Sequence, residues 1–252
     1  MLPKISIITV CFNSERTIED TILSVINQSY PNIEYIIVDG LSSDNTLGVV
    51  DQYKNKISKV VSEKDKGLYD AINKGISLAT GDIIANLNSD DFYIDNKVIA
   101  DVVNKMGNEN SDALYADLYY VDEIDTNKIV RHWKSGNYKD GHFFQGWMPP
   151  HPTFFVKKEV YNKYGLFNLS LRSAADYEIM LRFVHKHKVK IAYLPRVIVR
   201  MRVGGVSNAS IINRLKANRE DKKAWEINEL KPKPYTLIFK PLSKLGQFLK
   251  KG

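Results

Sequence analysis

The chain has 252 residues, 44% of them hydrophobic, which is enough to bury a full core as one large domain. Its single cysteine, Cys11, excludes an intrachain disulfide and suits a reducing compartment. No apolar run approaches the ~20 residues of a spanning helix, and residues 2–10 are too short and carry no cleavage pattern for a secretory signal, so a cytoplasmic protein is expected.

In chain order, residues 4–10 (KISIITV) form a β-branched run that reads as a strand. Ile18, Ile22, Val25 and Ile26 fall on one helical face. Asn13 or Ser14 reads as the N-cap of that helix, with Glu15 in its first turn and Pro31 as its stop. A second strand over residues 34–38 ends at Asp39-Gly40, and a polar turn leads to a helix near residues 46–53. A third strand, residues 59–62, precedes Asp65 and Gly67; the next helix is marked by Leu68, Ala71, Ile72, Gly75, Ile76 and Ala79. Residues 82–87 make a fourth strand that runs into Asn88-Ser89-Asp90-Asp91, followed by a helix over about residues 94–106.

This alternation predicts an α/β fold, a Rossmann-like and mainly parallel sheet flanked by helices. Ligands of such sheets bind beyond the carboxyl ends of the strands. Thr9 with Asn13, Asp39, Asp65 and Asp90-Asp91 would converge there. Each alone is ordinary turn chemistry; four strand ends carrying such groups together point to a site. Adjacent carboxylates repel unless hydrogen bonds, water or a cation offset the repulsion. A hard divalent ion that also holds a diphosphate is one answer, and a helix cap is the other. A dinucleotide site would need Gly-x-Gly-x-x-Gly after the first strand. The turn there reads Cys11-Phe12-Asn13-Ser14-Glu15-Arg16, without glycine, and no P-loop pattern occurs.

In the second half, Ser173-Ala174-Ala175-Asp176-Tyr177-Glu178 precedes apolar Ile179, Met180, Phe183 and Val184. Asp176 thus falls near a helix N-terminus, where an acid also serves as a cap. Trp133, Tyr138, Phe143, Phe144 and Trp147 suit either core anchoring or stacking on sugar rings. After Glu229 come six lysines and no acid; 36 basic residues less these six leave 30 against 29 acidic, so the net charge of +7 belongs to the tail. There Ile238, Leu242, Leu245 and Leu249 share a helical face surrounded by lysines, beyond a linker at Pro232 and Pro234. Such a C-terminal amphipathic helical tail suits an anionic bilayer surface; packing on the domain is the alternative. Bulky aliphatics among the lysines, and no recognition motif, argue against nucleic acid.

Four segments carry a family resemblance: residues 5–46 (from ISIITVCFNS), residues 66–91 (KGLYDAINKGISLATGDIIANLNSDD), residues 151–182 and residues 201–208 (MRVGGVSN). Over about residues 4–208 the chain resembles family 2 inverting glycosyltransferases of the GT-A fold, in particular bacterial members that build surface polysaccharides. The resemblance implies a glycosyltransferase domain over residues 1–228, with a nucleotide-sugar half at about 1–95 and an acceptor half at about 96–228. Residues 229–252 are then a membrane-associating tail.

It implies that Thr9, Asn13 and Glu15 hold the base and ribose, that Asp39 accepts the N–H of uracil, and that Asp65 lies near the same pocket. UDP-sugars are then the donors. Asn88-Ser89-Asp90 matches the Asp-x-Asp motif, with Asn88 departing from the usual acid. Asp90 would ligate Mn²⁺ or Mg²⁺, and Asp91 would assist directly or through water. Asp176 matches the catalytic base, with Glu178 in reserve. Arg202, Gly204, Gly205 and Ser207 would fold over the diphosphate, and Trp147 and His151 would face the acceptor. The implied reaction moves a hexose or N-acetylhexosamine to a polyprenyl-diphosphate-linked saccharide of an O-antigen, capsule or exopolysaccharide. The enzyme would sit peripherally on the inner face of the bacterial plasma membrane. A sugar-phosphate nucleotidyltransferase would need a glycine-rich first loop, and a non-catalytic sugar- or lipid-binding scaffold would not need four retained acids.

Overall fold

The computed structural model describes residues 2–204 and 211–237, with the backbone alone for residues 211–218. Four strands build its first half: β1 (Ile5–Cys11), β2 (Ile33–Asp39), β3 (Lys59–Ser62) and β4 (Ile83–Asn86). They are joined by α1 (Ile18–Ile26), α2 (Thr46–Gln52) and α3 (Leu68–Leu78). All four strands are parallel, in the order β3-β2-β1-β4. Every residue of β1 is buried, as a central strand covered on both faces requires. The register pairs Cys11 with Asp39 and Asp39 with Ser62, which aligns the carboxyl ends of three strands along one edge.

The second half extends the same sheet. β5 (Asp91–Tyr93) and α4 (Val98–Glu109) are followed by β6 (Ala113–Val121), β7 (Ile129–Trp133) and β8 (Phe155–Lys157). Then come α5 (Lys158–Tyr164), α6 (Ala175–Met180), β9 (Ile191–Arg202) and α7 (Ile211–Ile227). The full order is β3-β2-β1-β4-β8-β6-β9-β5, with β7 on β6. The parallel half is as expected from the sequence. The added strands pair antiparallel except β6 with β9, so the complete sheet is mixed.

Three local expectations change. α1 begins after Thr17, not after Asn13 or Ser14, because the chain first makes a turn in which the Ser14 carbonyl accepts from Thr17 and Ile18 N–H. It ends at Ile26, well before Pro31. The acidic pair does not cap a helix: Asp91 opens β5, which pairs with β9, and α4 starts only at Val98. Gly205 and Ser207 of the expected diphosphate loop, and the apolar face from Ile238 to Leu249, lie outside the described residues.

Candidate active site

A cavity of about 700 Å³ opens at the carboxyl ends of β1 and β4. Its walls come from the turn after β1 (Phe12, Asn13, Glu15, Arg16), the start of α3 (Gly67, Leu68, Tyr69), the end of β4 (Asn88, Ser89, Asp90) and the acceptor half (His151, Ser173, Asp176, Met201). Asn13, Glu15, Asp65, Asn88, Asp90, His151 and Asp176 all line it, which brings together seven of the expected residues from five separate segments.

The turns after β1 and β2 are laced to each other. Asn13, at φ 50°, accepts the Ser43 N–H at 2.9 Å, and Glu15 Oε2 accepts the Asn45 N–H at 2.9 Å. Ser14 N–H donates to Thr46 Oγ1 at 2.7 Å. These contacts hold the turn open toward the cavity. Asp65 Oδ1 accepts the Gly67 N–H at 2.8 Å, and Gly67 takes φ 118°, a conformation that favours glycine.

Thr9 and Asp39 are not in the cavity wall. Thr9 is buried and accepts from the Tyr35 hydroxyl at 3.1 Å. Asp39 is 0% exposed; its carboxylate accepts from Ser42 N–H at 3.1 Å and Ser62 hydroxyl at 2.6 Å, with the Ser42 hydroxyl at 2.5 Å. Its oxygens are thus engaged beneath the floor, beside the Cys11 thiol at 3.6 Å. Burial first, and then the Asp39 charge, push that thiol well above its usual range, which favours the thiol over the thiolate.

The acidic pair divides. Asp90 faces the cavity, and burial raises its carboxyl against the opposing pull of its own N–H, Arg202 and His151. Asp91 is 0% exposed and lies behind it; burial and then the Asp90 charge push its carboxyl well up. Asn88 Nδ2 donates to Asp91 Oδ2 at 3.4 Å, and Asp91 Oδ1 has no hydrogen-bond partner. The expectation of Asp91 as a direct ligand is therefore corrected: only Asp90 presents its carboxylate to the cavity.

Among the described residues no group of three or more His, Cys, Asp or Glu side chains could hold a metal by itself. One carboxylate still fits Mg²⁺ or Mn²⁺, which take one or two carboxylates and complete their shells with phosphate oxygens and water. The wall also carries Glu15, Asp44, Asp65, Asp90, Glu123 and Asp176 against Arg16 and His151. A diphosphate entering this acidic space needs a cation beside it.

Arg202 is 6% exposed and turns away from the cavity. It donates to the Asp90 carbonyl at 2.8 Å, pairs with the Asp20 carboxylate on α1, and stacks 5.0 Å over the Phe92 ring. It braces the acidic turn from behind instead of reaching a phosphate. Gly204, just beyond it, takes φ 125°.

Asp176 stands in the first turn of α6. Its Oδ1 accepts from the Tyr69 hydroxyl at 3.3 Å and the Tyr177 N–H at 2.8 Å, and Oδ2 lies 3.5 Å from His151 Nδ1. Tyr69 is a residue that sequence reasoning missed. A tyrosine on the buried face of an amphipathic helix carries no signal that distinguishes it from core. Burial and the Asp176 charge keep its phenol protonated. Glu178 is corrected as a reserve base: it is buried, ion-paired to Arg182 at 3.0 Å and accepts from Asn228 at 2.9 Å. Trp147 is corrected as an acceptor residue. Its Nε1 donates to the Ser135 carbonyl at 3.0 Å, and its ring packs among Tyr115, Tyr138 and Phe143 outside the cavity.

Residues 6–165 match the sequence model of Glycosyl transferase family 2. A PGL/p-HBAD biosynthesis glycosyltransferase of Mycobacterium tuberculosis is 26% identical over 213 residues, covering 83% of this chain and 81% of its own. The structure of Staphylococcus aureus TarS 1-349 in complex with UDP-GlcNAc superposes with a TM-score of 0.69 at 19% identity, over 89% of this chain and 65% of that one. The mannosyltransferase PcManGT of Pyrobaculum calidifontis, in complex with GDP-Man and Mn²⁺, gives 0.67 at 18% identity, over 99% and 70%. The chain spans 65% of the length of TarS 1-349, and the same share of an archaeal relative matched over 191 residues. The fold is GT-A, a mixed sheet with flanking helices and a cavity at the carboxyl edge of its parallel half. The chain belongs to glycosyltransferase family 2.

Proposed function

We propose that this chain is an inverting, metal-dependent transferase that moves a hexose or N-acetylhexosamine from a UDP-sugar to a lipid-diphosphate-linked saccharide in surface-polysaccharide synthesis. The observation that carries the reading is the placement of Asp90 and Asp176 on the wall of one cavity, with His151 facing both acids. TarS was crystallised with UDP-GlcNAc and PcManGT with GDP-Man and Mn²⁺, which supports a nucleotide-sugar donor and a divalent ion.

The Asp176 carboxylate takes the proton of the acceptor hydroxyl as that oxygen bonds to the anomeric carbon. The bond from the anomeric carbon to the β-phosphate oxygen breaks on the opposite side, the configuration inverts, and UDP leaves with the bonding pair. Asp90 would hold a Mn²⁺ or Mg²⁺ ion, which would supply countercharge for the departing diphosphate. Tyr69 and His151 hold the Asp176 carboxylate from its two sides. The laced turns after β1 and β2 present Asn13 and Glu15 to the nucleoside.

The test is UDP release with Mn²⁺, using UDP-glucose, UDP-galactose and their N-acetyl forms with a synthetic lipid-diphosphate sugar. Asp176→Asn is expected to slow acceptor-dependent release by about 10²–10⁴-fold while UDP still binds. Asp90→Ala is expected to remove the Mn²⁺ dependence of UDP binding. A chain that binds UDP but releases none from any donor, with or without acceptor, would favour a non-catalytic sugar-binding scaffold.

A further inference from the structure

α7 grips the segment that carries Asp176 at three points, and none of the gripping residues touches the cavity. The Glu220 carboxylate accepts the Arg172 N–H at 3.1 Å, the Ser173 N–H at 2.7 Å and the Ser173 hydroxyl at 2.9 Å. Trp225 Nε1 donates to the Tyr177 hydroxyl at 2.9 Å. Just beyond the helix end, Asn228 Nδ2 donates to Glu178 Oε1 at 2.9 Å. The held residues bracket Asp176, two before it and two after it.

The base segment needs this support. α6 runs directly into a six-residue π-helical stretch, Leu181–Lys186, and Ala174 at its N-cap offers no side-chain cap. A helical run this short is still marginal by itself in water. The N–H groups just ahead of it would otherwise face solvent without partners. Glu220 receives two of them from a different element, together with the Ser173 hydroxyl, and its carboxylate stays ionised. Burial would raise its carboxyl, but the hydrogen bonds from Ser173, Arg172 and Ala174 outweigh that and lower it. On the far side Trp225 is fully buried and stacked on Phe144 at 5.2 Å, so its hold on Tyr177 is rigid.

We propose that Glu220 is a positioning residue for Asp176, with α7 acting as a splint that fixes the direction of the base carboxylate. The inference rests on the reading of Asp176 as the base. It adds an element that lies beyond the matched family region, which ends at residue 165.

The experiment compares Glu220→Ala, Glu220→Gln, Trp225→Phe and Asp176→Asn in the full chain. It uses the UDP-sugar and synthetic lipid-diphosphate sugar that give the highest rate with the unmodified protein. Four quantities are read: kcat, donor KM, UDP affinity by calorimetry and Tm. Glu220→Ala is expected to lower kcat by roughly 10–100-fold, the scale of an ångström of misplacement, with UDP affinity within about twofold. Glu220→Gln, which keeps one acceptor oxygen, falls between Ala and the unmodified chain, and Trp225→Phe lowers kcat in the same selective way. If Glu220→Ala does not fold, the Gln and Phe variants carry the test.

An unchanged kcat in the folded Glu220 variants, with Asp176→Asn inactive, would overturn the inference and leave the base in place. A loss of kcat matched by an equal loss of UDP affinity would also overturn it, since that is general loosening. An active Asp176→Asn protein would overturn the base reading and the inference with it.

Discussion

Arg202 is a buried cation whose visible partners all belong to the fold: the Asp90 carbonyl, the Asp20 carboxylate and the Phe92 ring. Read along the chain, an arginine before two glycines suggests a phosphate contact, because nothing local reveals which way a strand-end side chain turns. The same limit applies to Thr9 and Asp39, which sit at the expected strand ends yet are satisfied by Tyr35, Ser42 and Ser62 below the floor. Asn13, Glu15 and Asp90, by contrast, lie in turns whose backbone faces the sheet edge, and they reach the cavity as read.

Replacing Arg202 with Met removes a charge-assisted hydrogen bond to the turn that aims Asp90, a contact of the kind worth about 1.5–3 kcal/mol. The expected result is a loss of roughly tenfold in UDP affinity measured with Mn²⁺, and no change in UDP affinity without metal. Asp20→Asn, on the exposed end of the same chain of contacts, should give a smaller loss of the same kind. Calorimetric titrations with and without Mn²⁺ read both, and equal losses in the two conditions would argue against the bracing role.

At the scale of elements, β1 to β4 and their helices were legible because each is a local pattern: a β-branched run, then apolar residues at helical spacing. β5 is three residues long and hides between the acids and α4. β8 pairs with β4 across more than seventy residues of chain, a partnership that leaves no local mark. Two features of the legible half give direct tests.

Gly75 lies inside α3, where glycine ordinarily costs about 1 kcal/mol against alanine. A Cβ there would stand 2.4 Å from Ile8 Cγ2, so the glycine lets the helix settle onto β1. Gly75→Ala is expected to destabilise by about 1–2 kcal/mol net, the overpacking penalty exceeding the propensity gain. In an Ile8→Ala background the clash is gone and the same change should become neutral or stabilising, read by denaturant unfolding of the four proteins.

Glu34 ties β2 to β1 and to the turn that leads into β4. Its carboxylate accepts from Ser6 hydroxyl at 2.5 Å, Thr80 N–H at 2.7 Å and Thr80 hydroxyl at 2.7 Å, with Lys4 at 3.5 Å. Burial alone would raise this carboxyl; the hydrogen bonds and Lys4 outweigh it and hold it at about 2, below the ordinary 4.5. A depressed carboxyl stabilises the fold above its unfolded pKa and loses that contribution as pH falls through the folded one. The contribution, roughly 3 kcal/mol at neutral pH, should therefore fade between pH 4.5 and 2. Glu34→Gln is expected to be less stable than the unmodified chain at pH 7, with the gap closing across that window. A gap that stays constant from pH 7 to 3 would count against the linkage.

The whole molecule joins an acidic cavity to a basic C-terminus, and the two sit on opposite sides of α7 in the sequence. Among the described residues no helix is long and apolar enough to cross a membrane. The segment just after α7 does not hang free as a linker: Lys233 Nζ lies 5.1 Å over the Phe144 ring, and Thr236 is buried. Phe144 also stacks on Trp225, so residues up to 237 belong with the domain. The membrane-associating tail expected from the sequence would then begin later, at the pattern of Ile238, Leu242, Leu245 and Leu249 with Lys240, Lys244, Lys250 and Lys251.

Each lysine near an anionic surface is worth about 1 kcal/mol, and the buried apolar face adds to it. Deleting residues 238–252 is expected to abolish co-flotation with vesicles containing a third phosphatidylglycerol, while UDP binding and Tm hold. Changing the four lysines to glutamine should leave only weak, salt-insensitive binding. Deleting residues 231–252 instead should also lower Tm, because it strips Thr236 and Lys233 from the domain. A protein cut at 237 that still floats with the vesicles would place the membrane contact on the catalytic domain itself.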